Sequence, residues 1–247
     1  MSREEQITGE RKRKLEELKK QGINPYAHKF DKKQSCEECL KSKIGTKTKT
    51  AGRLMIKRDL GKISFARLQD NSGEIQIVLQ EEKTPKNSMI FFKKYVDAGD
   101  FIGVTGEIIK TKTNETSILV NKIEILTKSL LPLPEKWHGL QDKEERYRKR
   151  YLDLIMDSKV REVFIKRSRI IEILREFMKK KNFTEVETPL LQSVYGGASA
   201  KPFKTHCDAY NSDLFLSIAP EIYLKKAMVG GLGNVYEITK KFRNEGV

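Results

Sequence analysis

The chain has 247 residues, enough for two modest domains or one large one, each with its own core. Hydrophobic residues at 38% and aromatics at 8% exclude both a disordered tail and a membrane protein, and no run approaches the roughly 20 apolar residues of a membrane span. The 49 lysines and arginines outnumber 34 aspartates and glutamates to leave a formal charge of +15, a field suited to a polyanionic partner. The opening MSREEQITGERKRK lacks the apolar core of a signal peptide, and three cysteines make no disulfide framework, so a reducing cytoplasm is the expected address.

Residues 2–22 are densely charged, with leucine only at Leu15 and Leu18, and read as a solvated helix ended by Gly22, Asn24 and Pro25. From Ala51 the pattern turns to short β-branched segments punctuated by glycine and asparagine: 52–57, 63–69, 74–79, 101–110 and 116–126. Residues 87–96, with Met89, Phe92 and Tyr95, suit a short helix between the third and fourth segments. Three strands, a helix and two strands is the order of a five-stranded oligonucleotide-binding (OB) barrel. Such barrels stack bases on exposed aromatics and track phosphates with basic residues. Phe65, between Lys62 and Arg67 and after Arg58, is either core packing or that platform; Gln76 faces away from Ile75 and Ile77 by strand alternation.

Pro132 and Pro134 mark a linker over 130–139. Residues 142–153 then read as a charged helix. Residues 159–181 read as an amphipathic helix whose Val163, Phe164, Ile170, Leu174 and Phe177 fall at spacings suited to one buried face. A strand is expected over 183–189, a loop at Gly196 and Gly197, a strand at 214–218, a helix at 221–229 and a strand at 235–238. The irregular alternation favours a mixed α+β domain.

Familiar catalytic patterns are mostly missing. Cys36 and Cys39 have the gap of half a zinc knuckle, but Cys207 stands apart and four ligands do not assemble even with His28, so reduced thiols are expected. His28, His138 and His206 lack a nucleophile in a recognisable setting, and no phosphate-binding glycine motif occurs. Arg243 and Glu245 lie two apart after a strand, where extended backbone would project both to one side: a fork for phosphate beside a carboxylate, or merely a surface ion pair.

Set beside their neighbours, these residues carry a resemblance. FTEVETPLL resembles the first signature of class II aminoacyl-tRNA synthetases, a dimer-interface element, and VYEITKKFRNEG resembles the second. YGGASAKPF, LSIAPEIYLKK, GLQDKEERYRKRYLDL and GKISFARLQDNSGEIQ are similar to bacterial-type lysyl-tRNA synthetases, and the resemblance runs from about Gly22 onward. It implies an all-β OB-fold barrel followed by the start of an α+β class II catalytic domain with a mainly antiparallel sheet. The expected layout is a charged helical extension over 1–48, the anticodon-binding barrel over 49–129, a linker and charged helix over 130–155, and a partial catalytic domain over 156–247.

Carried over by position, the resemblance implies that Phe65 stacks on an anticodon base while Arg58, Gln76 and Glu115 contact the anticodon, which for lysine is rich in uridine. It implies that Gly197 and Glu221 bind lysine, Glu221 through the α-ammonium, and that Arg243 and Glu245 bind ATP, with Arg243 acting catalytically on the α-phosphate. The partners implied are tRNA, lysine, ATP and a second subunit in a homodimer, with no membrane. Magnesium is implied as a cofactor, but its ligands, the third signature and the carboxylate for the substrate ε-ammonium have no counterpart before Val247. The chain is therefore expected to be an N-terminal portion, inactive alone, of an enzyme that lysylates tRNA through an adenylate. The competing expectations are a stand-alone tRNA or single-strand RNA binder and an aspartyl or asparaginyl relative.

Overall fold

A computed structural model describes residues 2–134 and 142–246. Residues 135–139 of the expected linker, with His138, lie outside the described residues. The chain divides into two compact units, Met1–Leu152 and Asp153–Val247.

Helix α1, Arg3–Lys20, starts at a reciprocal cap in which the Glu5 N–H donates to Ser2 Oγ and the Ser2 N–H donates to Glu5 Oε2. It ends where Gly22, at φ +72°, lets the Ile23 N–H turn back to the Leu18 carbonyl. This helix is not a wholly solvated face. Leu18 is fully buried and Leu15 nearly so, and Arg11 donates to the carbonyls of Ala98, Ser129 and Leu131. Two leucines one turn apart bury enough apolar area to dock an otherwise charged helix, and carbonyl acceptors allow the arginine to be buried with them. Lys14 is spent on Asp97 at 2.8 Å, which also pairs with the buried Lys128.

A second short helix, α2 (Cys36–Lys41), is capped by Ser35 and Glu38 and was not anticipated. It lays Cys36 and Cys39 into the barrel core, where Cys36 Sγ faces the Leu68 carbonyl and Cys39 Sγ lies 3.0 Å from Thr48 Oγ1. Burial pushes the Cys36 thiol up to about 12 and raises that of Cys39, so both are protonated core residues.

The barrel strands are β1 (Lys47–Asp59), β2 (Ile63–Gln69), β3 (Glu74–Gln80), β4 (Phe101–Lys110) and β5 (Thr116–Thr127), with α3 (Lys86–Tyr95) between β3 and β4. Pairing runs β1-β2-β3-β5-β4 and returns to β1, closing the ring; only β3 with β5 is parallel. Ile75, Ile77 and Leu79 point inward with Leu54, Leu68 and Ile118, and Phe92 and Val96 fill the end beneath α3. This is the OB barrel the segment order implied.

The charged stretch after the linker forms two helices rather than one, α4 (Lys143–Arg148) in the first unit and α5 (Arg150–Met156), broken at Lys149 with ψ +47°; α5 crosses the division between units, and the elements that follow belong to the second. Helix α6 (Ser158–Lys180) carries the expected amphipathic stripe, but its apolar face is not buried: Val163 is 62% exposed, Ile170 59% and Phe177 54%. Strand β6 is confined to Thr184–Glu185, shorter than expected because Pro189 and the turn toward β7 (Leu191–Gln192) interrupt it. β7, β9 (Ser212–Leu216) and β8 (Lys204–Cys207) form an antiparallel sheet, while β10 (Val235–Tyr236) pairs in parallel with β6. Helix α7 (Glu221–Ala227) runs into a π turn at Met228–Leu232. No helix among the described residues is long and apolar enough to cross a membrane.

Candidate functional site

The outer face of β1, β2 and β3 forms a groove of about 910 Å³ lined by Arg58, Phe65, Arg67, Gln76 and Val78, with Lys62, Lys83, Lys110 and Lys112 along its length. Along β2, Ser64, Ala66 and Leu68 are buried, so Phe65 and Arg67 take the outer face. Phe65 sits opposite Arg58 on one side and Val78 on the other. Phe65 is half-buried and lies outside the barrel's core cluster, in register with Val78, which is 2% exposed.

Arg58 reaches this face through a β-bulge. The register of β1 against β2 slips between Leu54 and Ile56, leaving Met55 as the extra residue. Had the register of Leu54 continued without the slip, Arg58 would lie opposite the inward Ser64; with it, Arg58 lies opposite Phe65. The same slip turns Lys57 inward, where Nζ donates to the carbonyls of Phe92, Lys93 and Val96 at the end of α3, and burial pushes its pKa down to about 8. Arg58 itself is exposed, and no ion pair holds it among the described residues.

Glu115 is set beside β3 by the tight turn joining β4 to β5, where the Glu115 N–H donates to Thr111 Oγ1. Gln76 Nε2 donates to Glu115 Oε2 at 2.9 Å, Ser117 Oγ donates to Gln76 Oε1 at 2.9 Å, and Arg67 pairs with Glu115 Oε1 at 2.6 Å. Thus Arg58, Phe65, Gln76 and Glu115, each expected to meet an anticodon, come together on one basic, aromatic face. Arg67 and Ser117 belong to the same constellation and were not singled out; their outward or adjacent register positions beside Gln76 are the signal that could have found them.

In the second unit, Gly197 adopts φ +86°. A Cβ there would stand 3.2 Å from Glu221 Cβ and 3.3 Å from Ala219 Cβ, so the loop backbone lies directly against the start of α7. The two expected lysine-binding residues are neighbours. The Glu221 carboxylate is exposed and already holds an ammonium, that of Lys225, at 2.5 Å.

Arg243 and Glu245 do not follow a strand directly, since β10 ends at Tyr236. Their segment is nevertheless held as a strand would be: the Phe242 N–H donates to the Ser217 carbonyl and the Asn244 N–H to that of Lys201. Glu245 accepts from the Lys201 N–H at 3.1 Å, while the Arg243 guanidinium is exposed with no ion pair among the described residues. Behind them lies a buried polar knot. Glu237, 4% exposed at its side chain, accepts from the N–H and Oγ1 of Thr188 at 2.8 and 2.9 Å, and lies 3.6 Å from Lys241 Nζ. Lys241 also donates to Ser217 Oγ, which in turn bonds the Ala219 carbonyl two residues before Glu221. Glu237, Lys241 and Thr188 were not foreseen, because only the folded chain brings residues some fifty positions apart together.

With the geometry in place, comparison with known proteins is decisive. Residues 48–126 match the OB-fold nucleic acid binding domain, and residues 142–247 match the class II tRNA synthetases of the D, K and N group. The chain is 50% identical, over 95% of its length, to the lysine–tRNA ligase of Carboxydothermus hydrogenoformans, of which it covers 48%. It is 47% identical over 98% of its length to that of Fusobacterium nucleatum, covering 50%. It is also 47% identical over 95% to lysine–tRNA ligase 2 of Methanosarcina mazei, covering 47%. The chain thus spans about half the length of the curated relatives it matches.

Proposed function

We propose that the chain supplies the anticodon-reading barrel and part of the adenylate-forming site of a lysine–tRNA ligase, acting on tRNA, lysine and ATP in the cytoplasm. The observation that carries this reading is the convergence of Phe65, Arg58, Gln76 and Glu115 on one outer groove of the barrel. An aromatic face beside cations and a hydrogen-bonded amide–carboxylate pair suits a splayed-out single-stranded base, which needs stacking, charge neutralisation and edge recognition together. The naming of the relatives selects lysine over the aspartate and asparagine members of the group.

In the second unit, Glu221 would take the substrate α-ammonium, exchanging it for the Lys225 ammonium it now holds. Gly197 leaves room for that substrate by lacking a side chain. The exposed Arg243 fork would hold a phosphate of ATP and draw off charge as the lysine carboxylate approaches phosphorus. Glu245, through the Lys201 N–H, fixes the segment that presents it. Magnesium does not fit the residues present: no group of three acidic, histidine or cysteine side chains among the described residues could hold a metal ion. No step of this account passes through it. The open stripe of α6 is the surface we assign to a second subunit, since an exposed face with Val163, Ile170, Leu174 and Phe177 suits association.

The test has two arms. The 247-residue chain should bind a hairpin with a uridine-rich loop more tightly than one with the same stem and an adenine-free cytidine loop. A polypeptide of the relatives' length that carries these residues should catalyse lysine-dependent ATP–pyrophosphate exchange, and the 247-residue chain should not. Equal binding of both hairpins, or exchange dependent on another amino acid, refutes the proposal.

A further inference from the structure

The groove network has a fixed sense. Arg67 has only donors, so the Glu115 oxygen 2.6 Å away is held as its acceptor. The Gln76 amide turns its nitrogen toward the other carboxylate oxygen, to which it donates at 2.9 Å. That leaves the amide oxygen on the other side, where Ser117 Oγ donates to it. One donor-only group at the end of the chain therefore decides which edge of a rotatable amide faces each neighbour.

We infer that Arg67 is a positioning residue for base selection: by anchoring Glu115 it sets the donor and acceptor pattern that Glu115 and Gln76 offer to a base stacked on Phe65. This rests on the groove being the RNA site proposed above. An anchored carboxylate favours a base that carries an N–H at N3, such as uracil, over cytosine, whose N3 presents a lone pair. Without Arg67 the carboxylate swings free and the Gln76 amide can present either face. Selectivity then falls, even though every residue touching the base is still present.

The pair is more than a third exposed on both sides, so its removal costs little stability and Arg67→Met should fold. Affinities of the 247-residue chain and its variants are measured by fluorescence anisotropy for two hairpins that differ only in loop uridines against cytidines. The wild-type chain should prefer uridine by about tenfold, in the range of one well-made base-edge contact. Arg67→Met should bring that ratio to about one, and Arg67→Lys, which keeps a cation on Glu115, should recover most of it. In a Glu115→Gln background, Arg67→Met should not change the ratio further.

A uniform loss of affinity for both hairpins with the ratio intact would make Arg67 a plain phosphate contact and overturn the inference, while leaving the groove as the RNA site. Additive effects of the two substitutions on the ratio would overturn it equally. A wild-type chain that binds neither hairpin, or both alike, would refute the proposed function of the groove together with this inference.

Discussion

Replacing Phe65 tests the stacking platform, and the structure indicates how to separate stacking from packing. Phe65 lines the groove and stands in register beside Val78, which is 2% exposed. Phe65→Ala removes the whole ring, so a loss of affinity could follow from local loosening of β2 and β3. Phe65→Leu keeps an apolar side chain at this register position and removes the π face. One base stacked on an aromatic contributes about 1–3 kcal/mol, or roughly five- to 150-fold in affinity. Phe65→Leu should therefore weaken binding of a uridine-loop hairpin by at least about fivefold, with Phe65→Ala weaker still. The assay is anisotropy at fixed salt, since the surrounding lysines make affinity salt-dependent. The salt slope should not change in either variant, because no cation has been removed. An unchanged affinity in Phe65→Leu, or a loss that appears only as a changed salt slope, would refute the platform.

Three further outcomes follow from particular contacts. Asp70 receives Lys32 at 2.6 Å and the N–H groups of Cys36, Ser72 and Gly73. Burial alone would raise its pKa, but these partners outweigh it and hold the carboxyl well below the usual range. Its stabilising effect is present above the unfolded carboxylate pKa and lost as pH falls toward the folded value, so Asp70→Asn should flatten the acid limb of a urea-stability profile; an unchanged limb would show that Asp70 is not linked to folding. Gly197→Ala forces a side chain to φ +86° and within 3.2 Å of Glu221, which should cost the second unit about 1–2 kcal/mol in urea unfolding; a neutral result would mean that the loop is not held against α7. Glu237→Ala should destabilise that unit by about 3 kcal/mol, because Lys241 and the Thr188 N–H lose their partner within the fold, and adding Lys241→Met should recover part of the loss; simple additivity would dissolve the knot.

Much of the barrel is legible because its strands are short, β-branched and set off by turn residues, and β2 alternates throughout. Residues 63–69 read as a strand from the sequence, and Ile63–Gln69 is that strand. The aromatic and polar residues of β2 and β3 could be assigned to a face by counting in twos. Arg58 could not, since an extra residue at Met55 reverses the count and no local composition marks it. The α2 helix is marked in the sequence only by Ser35 and Glu38 at capping spacing, and at six residues it is too short to show an apolar period. The apolar period of α6 is plain in the sequence, but periodicity says only that a face is apolar, not which surface covers it, and here the face is exposed. In the second unit, Gly197 and Glu221 were paired by resemblance alone, and their contact depends on a loop meeting a helix start more than twenty residues later.

The most direct measurement of the central claim is to place 4-thiouridine in the hairpin loop, irradiate its complex with the 247-residue chain, and identify the crosslinked peptides by mass spectrometry. Crosslinks should concentrate on Ile63–Gln69 and Glu74–Gln80, at Phe65 and beside Gln76. Crosslinks confined instead to the basic helices Arg3–Lys20 or Ser158–Lys180 would contradict the account.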